Sequence, residues 1–428
     1  MRYLKIDNNL FRKNREKLLK LLPESSVAIV CSNAQMPRNG DQFYTYRQNS
    51  DFFYLSGIEQ EKSVLFLKKD DNGKDITVLF IIKPNKLLET WEGKKLSIAE
   101  ARSISGINEI KFIDDFDDYL HQELTMVKNI FGNLPENPRF QSDILSADRL
   151  LITKLKEKYP LHNYDRLAPF LTKHRLVKET EEIELIKKAC QITKEAFIDV
   201  LKNCKPTLRE YQLEAIITQR YIAEGAMGHA YNPIVASGKN ACYLHYDTND
   251  DTCNDGELVL FDIGAEYANY AADLSRTIPV NGKFSARQKE LYEATLGIFK
   301  KARNLMKPGI TINQINEQVE KLWEKEHIQL GLYNEKDITA SSENLCKKYY
   351  PHGTSHFMGL DVHDVGGKDV VLEPGMIITC EPGIYIEEEE TGIRIENDIL
   401  ITENGNIDLM KDIPVEIEEI EKIMNGEG

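Results

Sequence analysis

The sequence lacks the features that mark membrane, secreted and nucleic-acid-binding proteins. It contains no run of about 18 apolar residues, the length that a membrane-spanning helix needs. Its seven cysteines are an odd number and form no CxxC pair, so neither a disulfide framework nor a zinc–thiolate site is indicated. The net charge of −15 argues against nucleic acid or an anionic membrane as a partner. We therefore expect a cytoplasmic globular protein.

The length of 428 residues allows two domains of ordinary size. In the N-terminal part, the strand-like runs SSVAIVCS, SVLFLKKD and DITVLFII alternate with helical segments that include DDYLHQELTMVKNIF, a pattern typical of α/β domains. Further along, helices are followed by antiparallel strand pairs, which indicates an α+β domain. We predict domains at residues 1–170 and 171–428 and an α+β class for the chain.

An apolar strand pair at residues 258–277, LVLFDIGAEYANYAADLSRT, contains two aspartates. A turn centred between Tyr267 and Ala268 would pair Asp262 directly with Asp273. Side chains in such a pair lie about 5 Å apart, where like charges destabilise a sheet and burial of an unpaired carboxylate is costly. An Arg or Lys, a shared proton or a metal ion must therefore lie between them.

A second segment repeats this spacing. In both segments a carboxylate, Asp262 or Glu381, follows a glycine by six residues and precedes another glycine by two. A turn centred between Glu388 and Glu389 would place Glu381 opposite Glu396. Four carboxylates would then converge from two hairpins, and two divalent ions would neutralise them. Ligands that are rich in carboxylates suit Mn²⁺.

Histidines are concentrated in the segment PHGTSHFMGLDVHD. Three of the nine histidines of the chain, His352, His356 and His363, fall within twelve residues. A single histidine is usually a core or surface residue, but three at this spacing indicate a functional site. We expect one of them to complete the carboxylate site as a metal ligand.

These motifs resemble those of a known family. LFDIGAEYANYAADLSRT, HGTSHFMGLDVHDVG, CEPGIY and GIRIENDILIT are similar to the motifs of the proline-specific metallopeptidases with the pita-bread fold, and most similar to those of the Xaa-Pro aminopeptidases. YRQNSDFFYLSGIEQ and TWEG resemble their N-terminal domain. The resemblance implies a C-terminal pita-bread (creatinase/aminopeptidase) domain preceded by an α/β creatinase-like N-terminal domain. Thr354 in HGTSH and Asn397 in IEND depart from the usual HGLSH or HGLGH and IEDD, without removing an implied ligand.

The resemblance also implies two divalent metal ions, which we expect to be Mn²⁺. Asp262 would chelate one metal ion, Asp273 and Glu396 would bridge both, and His356 with Glu381 would bind the other. A water or hydroxide between the ions would be the nucleophile. Glu381 would also accept and transfer its proton.

Other residues match family positions that contact substrate. His245 and His363 would stabilise the tetrahedral intermediate, and His352 would line the proline pocket. Arg394 shares a strand face with Glu396, so we expect it to support the carboxylates by charge-assisted hydrogen bonds. For some of these residues packing or a structural role stays open as an alternative. The residues assigned to substrate contact are His245, His352, His363, Tyr385, Arg394 and Trp91.

The predicted activity is removal of the N-terminal residue from peptides with proline second. Prolidase, which cleaves Xaa-Pro dipeptides, is the alternative. A non-catalytic pita-bread module that binds proteins or nucleic acid is less favoured, because all five implied ligands are present. The resemblance further implies a homodimer or homotetramer.

Overall fold

The computed structural model describes residues 2–70, 74–134, 136–137 and 143–427. The chain divides into two compact units, one from Tyr3 to Arg175 and the other from Leu176 onward. In the part of the chain that is described, no helix is both long enough and apolar enough to cross a membrane.

The first unit is built on a mixed six-stranded sheet. Across the sheet its strands are Glu109–Phe112, Asp75–Ile81, Val64–Lys69, Ser26–Cys31, Asn129–Gly132 and Asn163–Arg166. A two-stranded hairpin comprises Pro37–Asn39 and Gln42–Phe43. The helices are Asn9–Leu21, Ser50–Ser56, Lys86–Glu92, Ile98–Ser105, Phe116–Leu124, Ala147–Lys158 and Ala168–Leu176, the last ending at the boundary.

The three predicted strands of this unit are confirmed, but the predicted helix over residues 117–131 is wrong in its second half. The helix ends at Leu124, and Asn129–Gly132 pairs in parallel with Ser26–Cys31. Ile130 and Phe131 are buried in this strand. Burial in the sheet therefore outweighs the helical pattern of the preceding residues.

The second unit combines helices with short antiparallel sheets. Its helices are Thr180–Asn203, Glu210–Ala223, Ala286–Leu305, Ile312–Gln329, Glu335–Ala340, Leu345–Tyr349 and Ile417–Met424. Its strands are Gly228–His229, Ile234–Ser237, Leu258–Ile263, Ala265–Tyr267, Tyr270–Ala271, Leu274–Pro279, Ile377–Cys380, Gly383–Ile386, Thr391–Arg394, Asn397–Thr402 and Gly405–Asp408.

The first hairpin, residues 258–279, has a register that differs from the prediction. Asp262 pairs with Ser275, so its predicted direct pairing with Asp273 is wrong. The turn residues are Ala268 and Asn269, with φ of 52° and 66°, which is the left-handed pair of a two-residue hairpin turn. The turn therefore lies one residue further along the chain than predicted.

In this register Asp262 and Asp273 are diagonal neighbours on one face of the hairpin. Ile263 pairs with Leu274, which leaves Gly264 facing Asp273. Diagonal side chains still lie within reach of one another. The conclusion that both carboxylates share a face therefore holds despite the wrong pairing.

The second hairpin, residues 377–402, has the predicted register. Cys380 pairs with Asn397, and the same register resumes after an interruption with Gly383–Ile386 against Thr391–Arg394. Glu381 and Glu396 lie in the interruption and face each other. Because the strand pairing is interrupted here, both carboxylates project from the same point of the hairpin.

Gly264 provides a test of the first hairpin. A Cβ added at this position would lie 1.8 Å from the carbonyl oxygen of Ala272, a backbone atom that cannot rotate away. We predict that Gly264→Ala lowers the free energy of unfolding of this unit by about 3 kcal/mol or more, measured by urea unfolding.

Gly297 is the matched control for this substitution. It lies within the helix Ala286–Leu305, and an added Cβ would meet no atom within 4 Å. Gly297→Ala should raise the free energy of unfolding by about 1 kcal/mol, because alanine favours the helix. Equal stability of Gly264→Ala and the unmodified protein would contradict the close approach of the two strands.

Candidate metal centre

The two hairpins and the HGTSH segment line one cavity of about 360 Å³ in the second unit. The five predicted metal ligands all face it: Asp262, Asp273, His356, Glu381 and Glu396. Four of the residues assigned to substrate contact line it as well: His245, His352, His363 and Arg394. Residues separated by up to about 150 positions in the sequence thus meet at one site.

The potential ligand atoms are close enough to share a cation. One ligand atom from each of Asp273, His356 and Glu396 lies within 4.8 Å of the others. The Nε2 atom of His356 is 3.4 Å from Oδ2 of Asp273 and 3.6 Å from Oε1 of Glu381. Three buried or half-buried acids and one imidazole thus point at a common volume.

Hydrogen bonds between the hairpins hold these carboxylates in place. The backbone N–H of Glu396 donates to the carbonyl oxygen of Ser275 at 3.1 Å. The hydroxyl of Ser275 donates to Oε2 of Glu396 at 2.6 Å. In the opposite direction, the backbone N–H of Asp273 donates to the carboxylate of Asp398 at 3.2 Å. Each hairpin therefore positions a ligand of the other.

Tyr231 and Arg394 hold the aspartates of the first hairpin. The hydroxyl of Tyr231 lies 2.6 Å from Oδ1 of both Asp262 and Asp273. Arg394 donates to Oδ2 of Asp262 at 2.6 Å and to the hydroxyl of Ser275 at 2.7 Å. The predicted supporting contacts of Arg394 are thus present. Tyr231 was not anticipated, because an isolated tyrosine at the end of a loop carries no sequence signal.

Three further supporting residues were also missed by sequence reasoning. The hydroxyl of Thr379 accepts the backbone N–H of His356 at 3.1 Å and donates to Oε1 of Glu381 at 3.2 Å. The thiol of Cys190 donates to Oδ2 of Asp398 at 3.3 Å, on the side away from the cavity. Asp398 follows Glu396 by two residues and is the last residue of the IEND motif, and these two signals could have identified it.

Burial makes the carboxylates costly to ionise. It raises the pKa of Asp273, Glu381 and Glu396, and the neighbouring negative charges raise each pKa further. Burial lowers the pKa of His356, but Asp273 and Glu381 outweigh it and raise that pKa to about 9. Carboxylates packed in this way gain most from cations that bind between them. The donor set therefore fits divalent metal ions.

His352 lines the cavity, whereas Tyr385, which was also assigned to substrate contact, is buried next to it and is not one of the lining residues. Nε2 of His352 lies 2.8 Å from the hydroxyl of Tyr385, which accepts a hydrogen bond from Nη1 of Arg394, also at 2.8 Å. Burial and the nearby Arg394 lower the pKa of His352 to about 3, so this imidazole is neutral at physiological pH. Its Nδ1 is 3.6 Å from Oε2 of Glu381. The His352 imidazole is thus neutral and lies next to a predicted metal ligand.

The two departures from the family motifs are accommodated without loss of a ligand. The hydroxyl of Thr354 is buried 2.7 Å from that of Tyr350, and its carbonyl oxygen accepts the backbone N–H of Glu381. Asn397 accepts a hydrogen bond from the buried Arg276 at 2.8 Å. Neither residue lines the cavity, and both stabilise the segments that carry the ligands.

The remaining predicted residues differ in their placement. The ring of His363 is 4.5 Å from that of His356 in an edge-to-face arrangement, and His245 is an exposed residue of the cavity wall. Trp91 lies in the first unit, on the helix Lys86–Glu92, and is 84% exposed. The substrate-contact roles of all three stay predictions.

Comparisons with known proteins identify a matching family model for each half of the chain. Residues 184–403 match the model of metallopeptidase family M24, and residues 11–131 match that of the aminopeptidase P N-terminal domain. An Xaa-Pro aminopeptidase of Haemophilus influenzae is 35% identical, with 98% of each chain covered. Human Xaa-Pro aminopeptidase 3 is 32% identical over 96% of this chain and 84% of its own.

A solved structure is similar over the whole length. The zinc-substituted Escherichia coli aminopeptidase P in complex with product matches with a TM-score of 0.90 and 32% identity, covering 99% of this chain and 100% of that one. The expected α+β class and pita-bread fold are therefore confirmed. Taken with the metal-binding cluster in the cavity, these matches show that the chain belongs to the Xaa-Pro aminopeptidase family of M24 metallopeptidases.

Proposed function

We propose that the protein is a metal-dependent aminopeptidase that removes the N-terminal residue from peptides whose second residue is proline. The observation that carries this proposal is the convergence of four carboxylates and one imidazole in a single cavity. The named relatives are Xaa-Pro aminopeptidases, so the prolidase alternative is not favoured. The complete set of candidate ligands speaks against a non-catalytic binding module.

The metal site would hold two divalent ions, with Mn²⁺ as the preferred metal. Asp262, Asp273, Glu381 and Glu396 carry four negative charges when ionised, and Arg394 offsets only one of them. A single divalent ion would leave a net negative charge in a buried site, whereas two ions would remove it and leave one positive charge for a hydroxide to balance. Asp262 would bind one ion, His356 and Glu381 the other, and the central pair Asp273 and Glu396 both.

Bound divalent ions lower the pKa of a water molecule and orient it for attack on a peptide carbonyl. Glu381 would accept the proton of this water and transfer it to the proline nitrogen. Its carboxylate is held by Thr379 and faces His352, so it is fixed in orientation at the edge of the cavity. His245 and His363 would donate to the oxygen on which negative charge develops during the attack.

Recognition of proline requires a shaped wall rather than backbone hydrogen bonds. Proline lacks a backbone N–H and has a fixed φ, so a site that binds an extended backbone fits it poorly. The neutral ring of His352, held in place by its hydrogen bond to the buried Tyr385, would offer a rigid surface for the pyrrolidine ring. Arg394 would keep that surface aligned with the metal ligands.

The remaining parts of the proposal concern the location of the enzyme, its oligomeric state and the role of Trp91. We expect it to act in the cytoplasm on small peptides and to form a homodimer or homotetramer. Trp91 would close over substrate from the N-terminal domain. The location follows from the composition of the sequence, and the oligomeric state and the role of Trp91 follow from the family resemblance.

The activity is tested with peptides of two lengths. We predict that the metal-stripped protein, after addition of Mn²⁺, cleaves Gly-Pro-Ala and leaves Gly-Pro largely intact, as followed by chromatography of the products. Cleavage of Gly-Pro alone would identify a prolidase instead. Cleavage of neither peptide by protein that binds two metal ions would refute the proline-specific activity.

The bridging role of Asp273 is tested by Asp273→Asn. We predict loss of at least one metal ion per chain, measured by mass spectrometry of bound metal, and a fall in kcat/KM of about 1,000-fold or more, because the ligand lost would contact both ions. Asp412→Asn, at an exposed position, is the matched control and should retain both metal and activity. Full metal content in Asp273→Asn would contradict the assignment.

Metal removal should make stability depend on pH in a defined direction. In the metal-free protein the pKa values of Asp273, Glu381 and Glu396 are raised above their unfolded values. Their contribution to stability is therefore complete below the unfolded pKa and is lost as pH rises through the folded pKa. We predict that Mn²⁺ raises the unfolding temperature by about 5 °C or more at pH 8 and by much less at pH 5.

The variant Glu396→Gln serves as the control for this experiment. It removes one of the repelling charges, so its metal-free form should lose less stability between pH 5 and pH 8 than the metal-free unmodified protein. An unmodified protein whose unfolding temperature is insensitive to both metal and pH would show that the cluster does not bind cations.

A further inference from the structure

We propose that Asp247 makes the enzyme favour peptides whose N-terminal residue is Arg or Lys, a specificity that rests on the proposed function. Asp247 lies in the loop after His245 and lines the catalytic cavity. Of the acidic residues that line this cavity in the described chain, it is the one outside the candidate ligand set. When metal ions neutralise the other four acids, the charge of Asp247 remains available to bind a group of the substrate.

Asp247 contacts another residue of the cavity lining. Nδ2 of Asn232 lies 3.5 Å from Oδ2 of Asp247, and both residues are exposed. Asn232 follows Tyr231, whose hydroxyl lies 2.6 Å from Oδ1 of Asp262. The Asp247 carboxylate is therefore an exposed part of the cavity lining, next to the loop that carries Tyr231. Among the described residues it makes no ion pair.

His352 lines the same cavity and lies next to Glu381 and Tyr385. If proline packs against His352, the residue that precedes it must occupy another part of the cavity lining, to which Asp247 belongs. Its α-amino group is attached directly to the Cα and stays close to the metal ligands. We expect only a long side chain to reach the exposed carboxylate of Asp247.

An apolar part of the cavity wall suits the stem of a basic side chain. Ile234 and Leu244 line the cavity and pack together in an apolar cluster. Ile234 also pairs with Asp262 in the sheet, so this apolar surface begins beside the metal ligands. Lys and Arg bury their methylene groups on such surfaces and keep the charged head in water. The head would then meet the Asp247 carboxylate.

The test compares two peptides that differ only in charge at the first side chain. Arg-Pro-Ala and citrulline-Pro-Ala have side chains of the same size, and citrulline is neutral. We expect the Mn²⁺-loaded enzyme to show a kcat/KM about five-fold higher for the Arg peptide at low salt, as for a partly exposed ion pair. In Asp247→Asn this ratio should fall to near one, and high salt should reduce it in the unmodified enzyme.

Asp250→Asn is the matched control, because Asp250 is an exposed acid of the same loop that does not line the cavity. It should keep the five-fold ratio. An equal loss of kcat/KM for both peptides in Asp247→Asn would overturn the proposal, since it would indicate recognition of the α-ammonium group or a structural role. An equal rate for the two peptides in the unmodified enzyme would overturn it as well.

Failure of the proposed function can be told apart from failure of this inference by measuring binding. Calorimetry with both peptides is carried out on Glu381→Gln protein, with and without Asp247→Asn. Tighter binding of the Arg peptide that disappears with Asp247→Asn supports the role of Asp247 even if the unmodified protein cleaves neither peptide. Equal binding of the two peptides overturns it whatever the activity.

Discussion

The structure depends on keeping four acidic side chains closer together than their charges favour. Asp262, Asp273, Glu381 and Glu396 face one cavity, and burial raises the pKa of the last three. In the absence of cations this arrangement opposes folding. The surrounding contacts therefore serve to hold the carboxylates in position, so that binding of cations recovers the energy that their proximity costs.

Reciprocal hydrogen bonds between the two hairpins provide this support. Ser275 of the first hairpin contacts Glu396 of the second, and Asp398 of the second contacts Asp273 of the first. Because each ligand is held by the other hairpin, neither hairpin can shift without disturbing both. Arg394 extends the same network by donating a hydrogen bond to Tyr385. The candidate metal ligands and the proposed proline-binding residue His352 thus belong to one network.

The two hairpins also show why one register could be predicted and the other could not. In the second hairpin the run of glutamates marks the turn clearly, and the facing of Glu381 and Glu396 is correct. In the first hairpin the turn places Ala268 in a left-handed conformation that alanine rarely adopts. Only Asn269, the second turn residue, favours this conformation, so the local signal for the turn is weak. Asp262 and Asp273 still share a face, because the error moved the partner strand by two positions and a strand alternates with a period of two.

The sequence by itself determined the fold class and the four acids that converge on the cavity, because strand periodicity and motif spacing are local properties. The choice of His356 among the three clustered histidines came from the family resemblance. Only the tertiary structure decided which residues support and surround them. Tyr231, Thr379, Cys190 and Asp247 reach the site from separate loops, strands and helices. Their roles depend on contacts between segments far apart in the chain, and such contacts leave no periodic signal in a single sequence.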